Sequence, residues 1–487
     1  MNQFHDVVIV GAGPAGSALA ILLARRGIDV LLLEKHEFPR DKVCGDFVSP
    51  RGLRKLAELG CYEQIAERAY LPVNRSFVYL DRAELSRGDF PALPEHPPYG
   101  NAIPRLELDE IMFRQAQREG ASTRERCVVS GVTIERDGVT VTADLNDSPA
   151  QIHARIVVGA DGANSAVARS VNLQMRDERY VQLAMRSYCK GLPLEDAVLY
   201  FEEAFFPGFG WIFPIRPNLA NIGVGMVKEP MKKDGIQLRA FFERMIEFTR
   251  HLARQKGVRV EFTQTAGWPI KTYGGARRNF FERGLLIGDA GCFVDPISGE
   301  GIPLALETAE MAAVTICDAL ESGDCSEAAL SSYERRWRQH FDPDLGVSDM
   351  IVSMIRNRHL VKLWIQWLKV MGMTAAEDAE YARRAGGILA GLVPNREGFS
   401  PYVVWKSIAH GPSFWMKVAN VSATSLPRDL VRNASELLRW ELDVASAIAG
   451  DPDWFRNWLI EIGTKQAKVM RSLSGSAVGQ TREFPID

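Results

Sequence analysis

DVVIVGAGPAGSALAILLARRGIDVLLLEK, residues 6–35, decides how this chain folds. Val7 to Val10 form a continuous apolar run, the pattern of a strand covered on both faces. Gly11, Gly13 and Gly16 then fit G-x-G-x-x-G. The first glycine permits a tight turn, the second lets backbone approach a pyrophosphate, and the third lets a helix pack close to the sheet. A helix from about Pro14 to Arg26 follows. Pro14 and Ala15 lie in its first turn, where free N–H groups and the positive dipole end face an anion. Gly27 ends the helix and IDVLLL is the second strand. Glu34 closes that strand 18 residues after Gly16, with Lys35 beside it. That is close to the spacing of about 20 at which a carboxylate accepts hydrogen bonds from ribose hydroxyls. Glu34 would repel a 2′-phosphate, so the site suits FAD or NAD and not NADP. A chance glycine-rich turn with a surface glutamate would lack this register of strand, helix and acid.

The remaining 450 or so residues must be organised around that unit. A chain of 487 residues predicts two to four domains. Its 46% hydrophobic and 24% charged residues are ordinary for a globular protein with a large core. A net charge of -3 offers no basic field for nucleic acid. The seven cysteines form no CxxC and no zinc spacing, so no metal site is expected. The N-terminus lacks a signal-peptide pattern, and no apolar run is long enough to span a bilayer. The expected location is cytoplasmic, with at most peripheral contact with a membrane.

Two later segments resemble the first in style. RIVVGADGANSAVAR (155–169) is a strand, a Gly-Ala-Asp-Gly turn and a helix start capped by Asn164 or Ser165. GLLIGDAGCFVDPISGEGIPLALETAEMAA (284–313) is a strand, a Gly-Asp turn, a Pro/Gly-rich loop and a helix. Together with the opening fingerprint they resemble the motifs of the flavoprotein hydroxylase superfamily typified by p-hydroxybenzoate hydroxylase. That resemblance implies FAD. It implies that Asp289 holds the ribityl or pyrophosphate region, and that the backbone through Pro296, Gly299, Gly301 and Ile302 lines the isoalloxazine. Asp161 would brace the fold and the pyrophosphate end, although Asp-Gly is also a common turn pair. In AIPRLELDEIMFRQAQREGA (102–121), Arg105 would approach the cofactor and Asp109 support the helix start; a surface charge is the alternative for Asp109. A second dinucleotide fingerprint is absent from the sequence, so electrons would come from transiently docked NAD(P)H or from a partner reductase.

The loop RDKVCGDFVSPRGLRKLAELG (40–60) narrows the resemblance. It is similar to the K-x-C-G-x-x-x-x-P loop of the geranylgeranyl reductase group, and especially to bacterial menaquinone side-chain reductases. Flavin-dependent halogenases tend to carry Gly-Glu-Ser there. FFPGFGWIFPI (205–215) resembles the Y/F-x-W-x-F-P segment of the same reductases, where Phe209, Trp211, Phe213 and Pro214 would wall a flat apolar substrate pocket. The halogenase counterpart is W-x-W-x-I-P, from which this chain departs at Phe209 and Phe213. Ordinary core packing is the alternative, since strands favour aromatics. Cys44, Asp46 and Trp211 are the candidate catalytic residues. Cys44 also belongs to the expected cofactor site, in a structural or substrate-side role; free cysteine otherwise behaves as a small buried hydrophobe. Asp46 is either a proton source or a turn residue.

The expected fold is α/β: a Rossmann-like FAD-binding domain (1–70, 101–175, 276–320) interleaved with an antiparallel β substrate domain (71–100, 176–275) and followed by a helical C-terminal domain (321–487). Helices are expected over 327–341, 356–373 and 451–473. The 356–373 stripe would be a buried helix or a membrane-surface element. The expected activity is FAD-dependent reduction, or the reverse desaturation, of a carbon–carbon double bond in an apolar isoprenoid or polyketide-like substrate, free, lipid-borne or carrier-bound. Alternatives are a monooxygenase or halogenase, and a non-catalytic prenyl carrier.

Overall fold

The computed structural model describes residues 4–91, 94–274, 278–389, 393–403, 405–407 and 444–476. The opening unit folds as strand Phe4–Val10, helix Pro14–Ala24 and strand Val30–Leu33. The two strands are parallel, with Val7 opposite Val30 and Val10 opposite Leu33. Val7 and Ile9 face the helical core, while Val8 and Val10 face a second core behind the sheet. Both faces are therefore dry, which is why the strand reads as an unbroken apolar run. The helix stops two residues short of Arg26. Gly27 takes a left-handed φ of +72°, and the N–H groups of Gly27 and Ile28 turn back to the carbonyls of Ala24 and Leu23.

The parallel sheet runs in the order Ser122–Arg124, Val30–Leu33, Phe4–Val10, Ser148–Gly159, Gly284–Leu286. The Ser148–Gly159 strand is shared. Its first half pairs antiparallel with Val139–Leu145, and its second half lies in the parallel sheet. Helices Pro14–Ala24, Arg105–Arg118 and Ile302–Ser322 cover one face and bury a common core with it.

A second sheet stands over the carboxyl ends of the first. Its order is Glu261–Phe262, Val181–Lys190, Leu219–Val227, Phe209–Arg216, Ala197–Phe201, Arg75–Leu80, Ala83–Asp89. Ala266–Lys271 also pairs with Val181–Lys190. The pairing is antiparallel apart from Ala197–Phe201, which runs parallel to Arg75–Leu80. Parallel neighbours need a long crossover, and here the whole middle of the first sheet intervenes between them in the chain. Helix Leu238–Gln255 closes the outer face through Phe241, Met245 and Phe248, all fully buried at helical spacing.

The C-terminal part is helical where described. The stretch expected as one helix over 327–341 is a short turn of helix, Glu327–Leu330, followed by Ser332–Ile355. Val361–Glu377 begins later than expected, after a turn over Arg358–Leu360. It buries Ile365 and Val370 yet leaves Leu363 and Trp367 43% and 45% exposed. Pro452–Ser476 packs along Ser332–Ile355. Residues 408–443 and 477–487 of the expected helical domain lie outside the described residues. No helix among the described residues is long and apolar enough to cross a membrane.

Candidate active site

The two sheets enclose a cavity of about 300 Å³. Its floor is the first sheet's turns. Gly11 has φ +101°, and a Cβ there would lie 2.5 Å from the Ala160 carbonyl oxygen; a Cβ on Gly16 would lie 1.9 Å from the Gly11 oxygen. Only glycines let the helix start press this closely on the turn. That start has no side-chain cap, and Gly13, Pro14 and Ala15 line the cavity. Uncapped N–H groups at a helix start are a ready anion site. Gly299, Gly301 and Ile302 line the opposite part of the floor, at the equally uncapped start of Ile302–Ser322.

Charged groups ring this cradle. Glu34 is buried and accepts from the N–H groups of Ala12 (3.2 Å) and His36 (3.1 Å), with Arg40 at 3.4 Å. Arg105 is buried and makes two bonds to Asp109, at 2.6 and 2.7 Å. Burial works against the Arg105 charge, but the Asp109 carboxylate more than offsets it and raises its pKa. Asp109 is held below the usual carboxylate range in spite of burial, because Arg105 and Arg40 both face it. It is therefore an ion-pair centre rather than a support for the helix start. Asp289 lines the cavity and pairs with Lys42 at 3.2 Å. Asp161 accepts from the Ala166 N–H at 2.6 Å and so braces the helix that follows its turn. Its other oxygen is buried with no hydrogen-bond partner among the described residues, and burial pushes its pKa up.

The Cys44–Asp46 loop forms one side of the cavity. Cys44 is half-buried, and burial raises its thiol pKa against the pull of Arg105 and Lys42. The thiol is thus neutral near pH 7 and is no activated nucleophile. Asp46 is fully buried, with φ +63°. Its Oδ2 accepts from the Tyr188 hydroxyl and the Asn221 amide, both at 2.8 Å. Its Oδ1 is buried with no hydrogen-bond partner among the described residues. Burial pushes its pKa up to about 7, outweighing Asn221, Tyr188, Arg186 and Arg105, which favour the carboxylate. Asn221 also donates to the Cys44 carbonyl and accepts from the Trp211 indole, each at 2.9 Å. One amide thereby locks the loop, the acid and the tryptophan together. Arg186 lies 4.4 Å from the Tyr188 ring centroid and bonds Asp41.

The roof is apolar. Trp211 lies over Gly223, where a Cβ would come 2.2 Å from the indole, and its other face meets Gly45. Phe213 stacks beside it at 6.4 Å, and Phe47 sits 4.9 Å from Phe213. From Trp211 the cavity extends past Phe209, Leu199, Phe201 and Phe206 to Ile355 of the C-terminal helix. Glu300 lines the floor, and burial raises its carboxyl to about 7 against Ser49 and Arg51.

Of the residues singled out from sequence, Gly13, Pro14, Ala15, Cys44, Asp46, Arg105, Phe209, Trp211, Phe213, Asp289, Gly299, Gly301 and Ile302 line the cavity. Gly11, Gly16, Glu34, Asp161 and Pro296 stand behind it; the Pro296 carbonyl accepts from Gln182 at 2.5 Å. Pro214 is buried in its strand, and Lys35 is exposed on the surface away from the cavity. Sequence reasoning missed Asn221, Tyr188, Arg186 and Gln182. The available signal was polar or charged residues inside the alternating runs QLAMRSYCKGL and NIGVGMV; Asn221 and Arg186 are buried at 0% and 3% exposure.

A family model described as FAD binding domain matches residues 5–342. The chain is 30% identical over 421 residues to the menaquinone reductase of Mycobacterium tuberculosis, covering 82% of this chain and 100% of that one. It is 28% identical over 344 residues to digeranylgeranylglycerophospholipid reductase 2 of Methanosphaera stadtmanae, covering 69% and 83%. Among solved structures, a geranylgeranyl bacteriochlorophyll reductase-like protein of Thermoplasma acidophilum superposes with TM-score 0.66 at 20% identity, over 86% of this chain and 99% of that one. The flavin-dependent halogenase CmlS superposes with TM-score 0.61 at 21% identity, over 90% and 78%. At those identities the structural likenesses speak for the fold alone.

Proposed function

The chain belongs to the FAD binding domain family, and we propose that this FAD-dependent oxidoreductase reduces a carbon–carbon double bond in an isoprenoid chain. The reading rests on one observation: a single cavity joins the uncapped glycine cradle to an apolar arm walled by Trp211, Phe209, Phe201 and Phe206. The residues fit the cofactor. Gly11 and Gly16 leave no room for a side chain, Gly13 and Ala15 present free N–H groups on either side of Pro14, and Glu34 offers a buried carboxylate. Bound there, reduced FAD supplies a hydride. Gly299–Ile302 would line the isoalloxazine, Asp289 and Arg105 would hold the ribityl and phosphate side, and Asp161 would brace the turn behind. Trp211 and Phe213 would hold a flat alkene against the ring system, and Phe209 would guide the chain onward. Cys44, which lines the cavity, would pack beside the flavin as a neutral thiol. Isolated alkenes accept hydride poorly, so positioning and proton delivery must supply the acceleration. The reverse desaturation uses the same surfaces.

We assign residues 1–70, 101–175 and 276–320 to the cofactor unit, 71–100 and 176–275 to the substrate unit, and 321–487 to a third unit, helical where described, that closes the far end of the cavity through Ile355. Electrons enter from NAD(P)H or a partner reductase, and an isoprenoid substrate dissolved in a membrane would be met from the periphery. The relatives named as reductases of menaquinone and of digeranylgeranylglycerophospholipid support an isoprenoid. The test is to reduce the bound flavin without oxygen and add menaquinone or a geranylgeranyl phospholipid. Re-oxidation is expected with a product that has lost one side-chain carbon–carbon double bond and, for menaquinone, stays two hydrogens heavier after air returns any quinol to quinone. Turnover that needs oxygen or halide would replace this reading with a hydroxylase or halogenase, and a colourless protein that only holds prenyl chains would replace it with a carrier.

A further inference from the structure

We propose that Asp46 is the acid that protonates the substrate alkene, and that Tyr188 is the positioning residue that sets when it can do so. The proposal rests on the alkene-reduction reading above. Asp46 lines the cavity between Gly45 and Phe47, next to the aromatic wall, and is the carboxyl of that loop fully shut from solvent. Its two oxygens differ. Oδ2 is saturated by Tyr188 and Asn221, both of which donate to it, while Oδ1 has no partner among the described residues. An orphaned buried oxygen is disfavoured unless it carries a proton or meets a ligand. A proton on Oδ1 meets the first condition, because two donors already occupy Oδ2, and an alkene seated in the cavity is the group that such a proton would meet. The left-handed backbone at Asp46, which Asp and Asn tolerate best, holds the side chain there, and the Asp46 carbonyl is tied to the Ile103 N–H at 2.8 Å.

The step balances simply. The alkene takes a hydride at one carbon, from the reduced cofactor, and the Asp46 proton at its neighbour. Two C–H bonds would replace the π bond, the cofactor would lose two electrons, and Asp46 would be left as carboxylate, to regain its proton from water that enters the cavity once the product leaves.

The groups facing Asp46 are Tyr188 and Arg186 from Val181–Lys190, Asn221 from Leu219–Val227, Arg105 from its helix, and Cys44 in its own loop, with Asp41 neutralising Arg186. Arg186 and Arg105 favour the carboxylate, and so do the hydrogen bonds from Tyr188 and Asn221; burial favours the acid. Reduction should therefore fall off as pH rises through about 7. Tyr188→Phe removes a donor to the carboxylate, so Asp46 holds its proton more tightly and the alkaline limb moves to higher pH.

The experiment uses the full-length flavoprotein, reduced anaerobically, with two acceptors followed by flavin absorbance. One is a geranylgeranyl phospholipid, which offers alkenes and no quinone, and the other is ferricyanide, which takes electrons and needs no proton on carbon. Asp46→Asn keeps the shape and tolerates the left-handed φ. It should slow re-oxidation by the alkene about 100-fold or more, the usual scale of a general acid, and leave ferricyanide re-oxidation within about twofold. Equal loss with both acceptors, or alkene re-oxidation within about threefold of the unaltered protein, would overturn the assignment. So would a Tyr188→Phe profile that stays put or moves to lower pH. If the unaltered protein is re-oxidised by ferricyanide and by no alkene, the functional reading itself fails and the acid falls with it.

Discussion

Asp109 carries more of the cofactor side than its place on an amphipathic helix reveals. It is fully buried between Arg105 and Arg40. Removing one member of such a cluster leaves uncompensated buried charge, which costs about 3–5 kcal/mol. Asp109→Ala should therefore lower the unfolding free energy in water by that amount, read as a lower urea midpoint with little change in slope, and weaken flavin retention as Arg105 loses its anchor. Asp46 makes the opposite contribution. Its folded pKa of about 7 lies above the ordinary 3.8, so between those values the native state holds a proton that the unfolded chain has released. Stability conferred by that proton is complete below pH 3.8 and is lost as pH rises toward 7. Melting temperatures followed from pH 4 to 8 should fall more steeply for the unaltered chain than for Asp46→Asn. The charges themselves were visible in the sequence. Which of them meet was not, because Arg40, Arg105 and Asp109 come from two distant segments.

Among the elements, the glycine turn and its helix are the most constrained. A Cβ on Gly16 would lie 1.9 Å from the Gly11 oxygen, with the Ala160 Cβ 3.2 Å away. Gly16→Ala should push the helix start off the turn, and the purified protein should emit less flavin fluorescence on denaturation than the unaltered one. This unit was legible as sequence because its determinants are local: apolar run, glycine spacing and helix lie within thirty residues. The C-terminal helices were less legible. The Glu327–Leu330 turn and the helix from Ser332 read as one period, since a break at Ser331 leaves the apolar spacing almost unchanged. The 356–373 stripe reads as a buried helix or a membrane-surface element; Val361–Glu377 buries Ile365 and leaves Leu363 and Trp367 partly exposed.

At the scale of the molecule, one sheet supplies the nucleotide cradle and the other the aromatic wall, and the Cys44–Asp46 loop bridges them through Asn221. Cofactor retention and substrate handling should therefore separate. Gly223→Ala would set a methyl 2.2 Å from the Trp211 indole on the second sheet. The expected protein is yellow and still re-oxidised by ferricyanide, but re-oxidised by an isoprenoid substrate at least tenfold more slowly; simultaneous loss of colour would contradict the division. By itself the sequence determined the cofactor fold and the acid at the end of the second strand, because both are written in short-range spacing that backbone geometry enforces; the aromatic segment stood out by its resemblance to the reductase motif. Only the tertiary structure decided that Asp46 is dry, that Tyr188 and Asn221 hold one of its oxygens, and that the wall continues to Ile355. Those facts depend on strands more than 140 residues away in the chain closing over the loop, and burial is a property of what covers a residue, not of the residue.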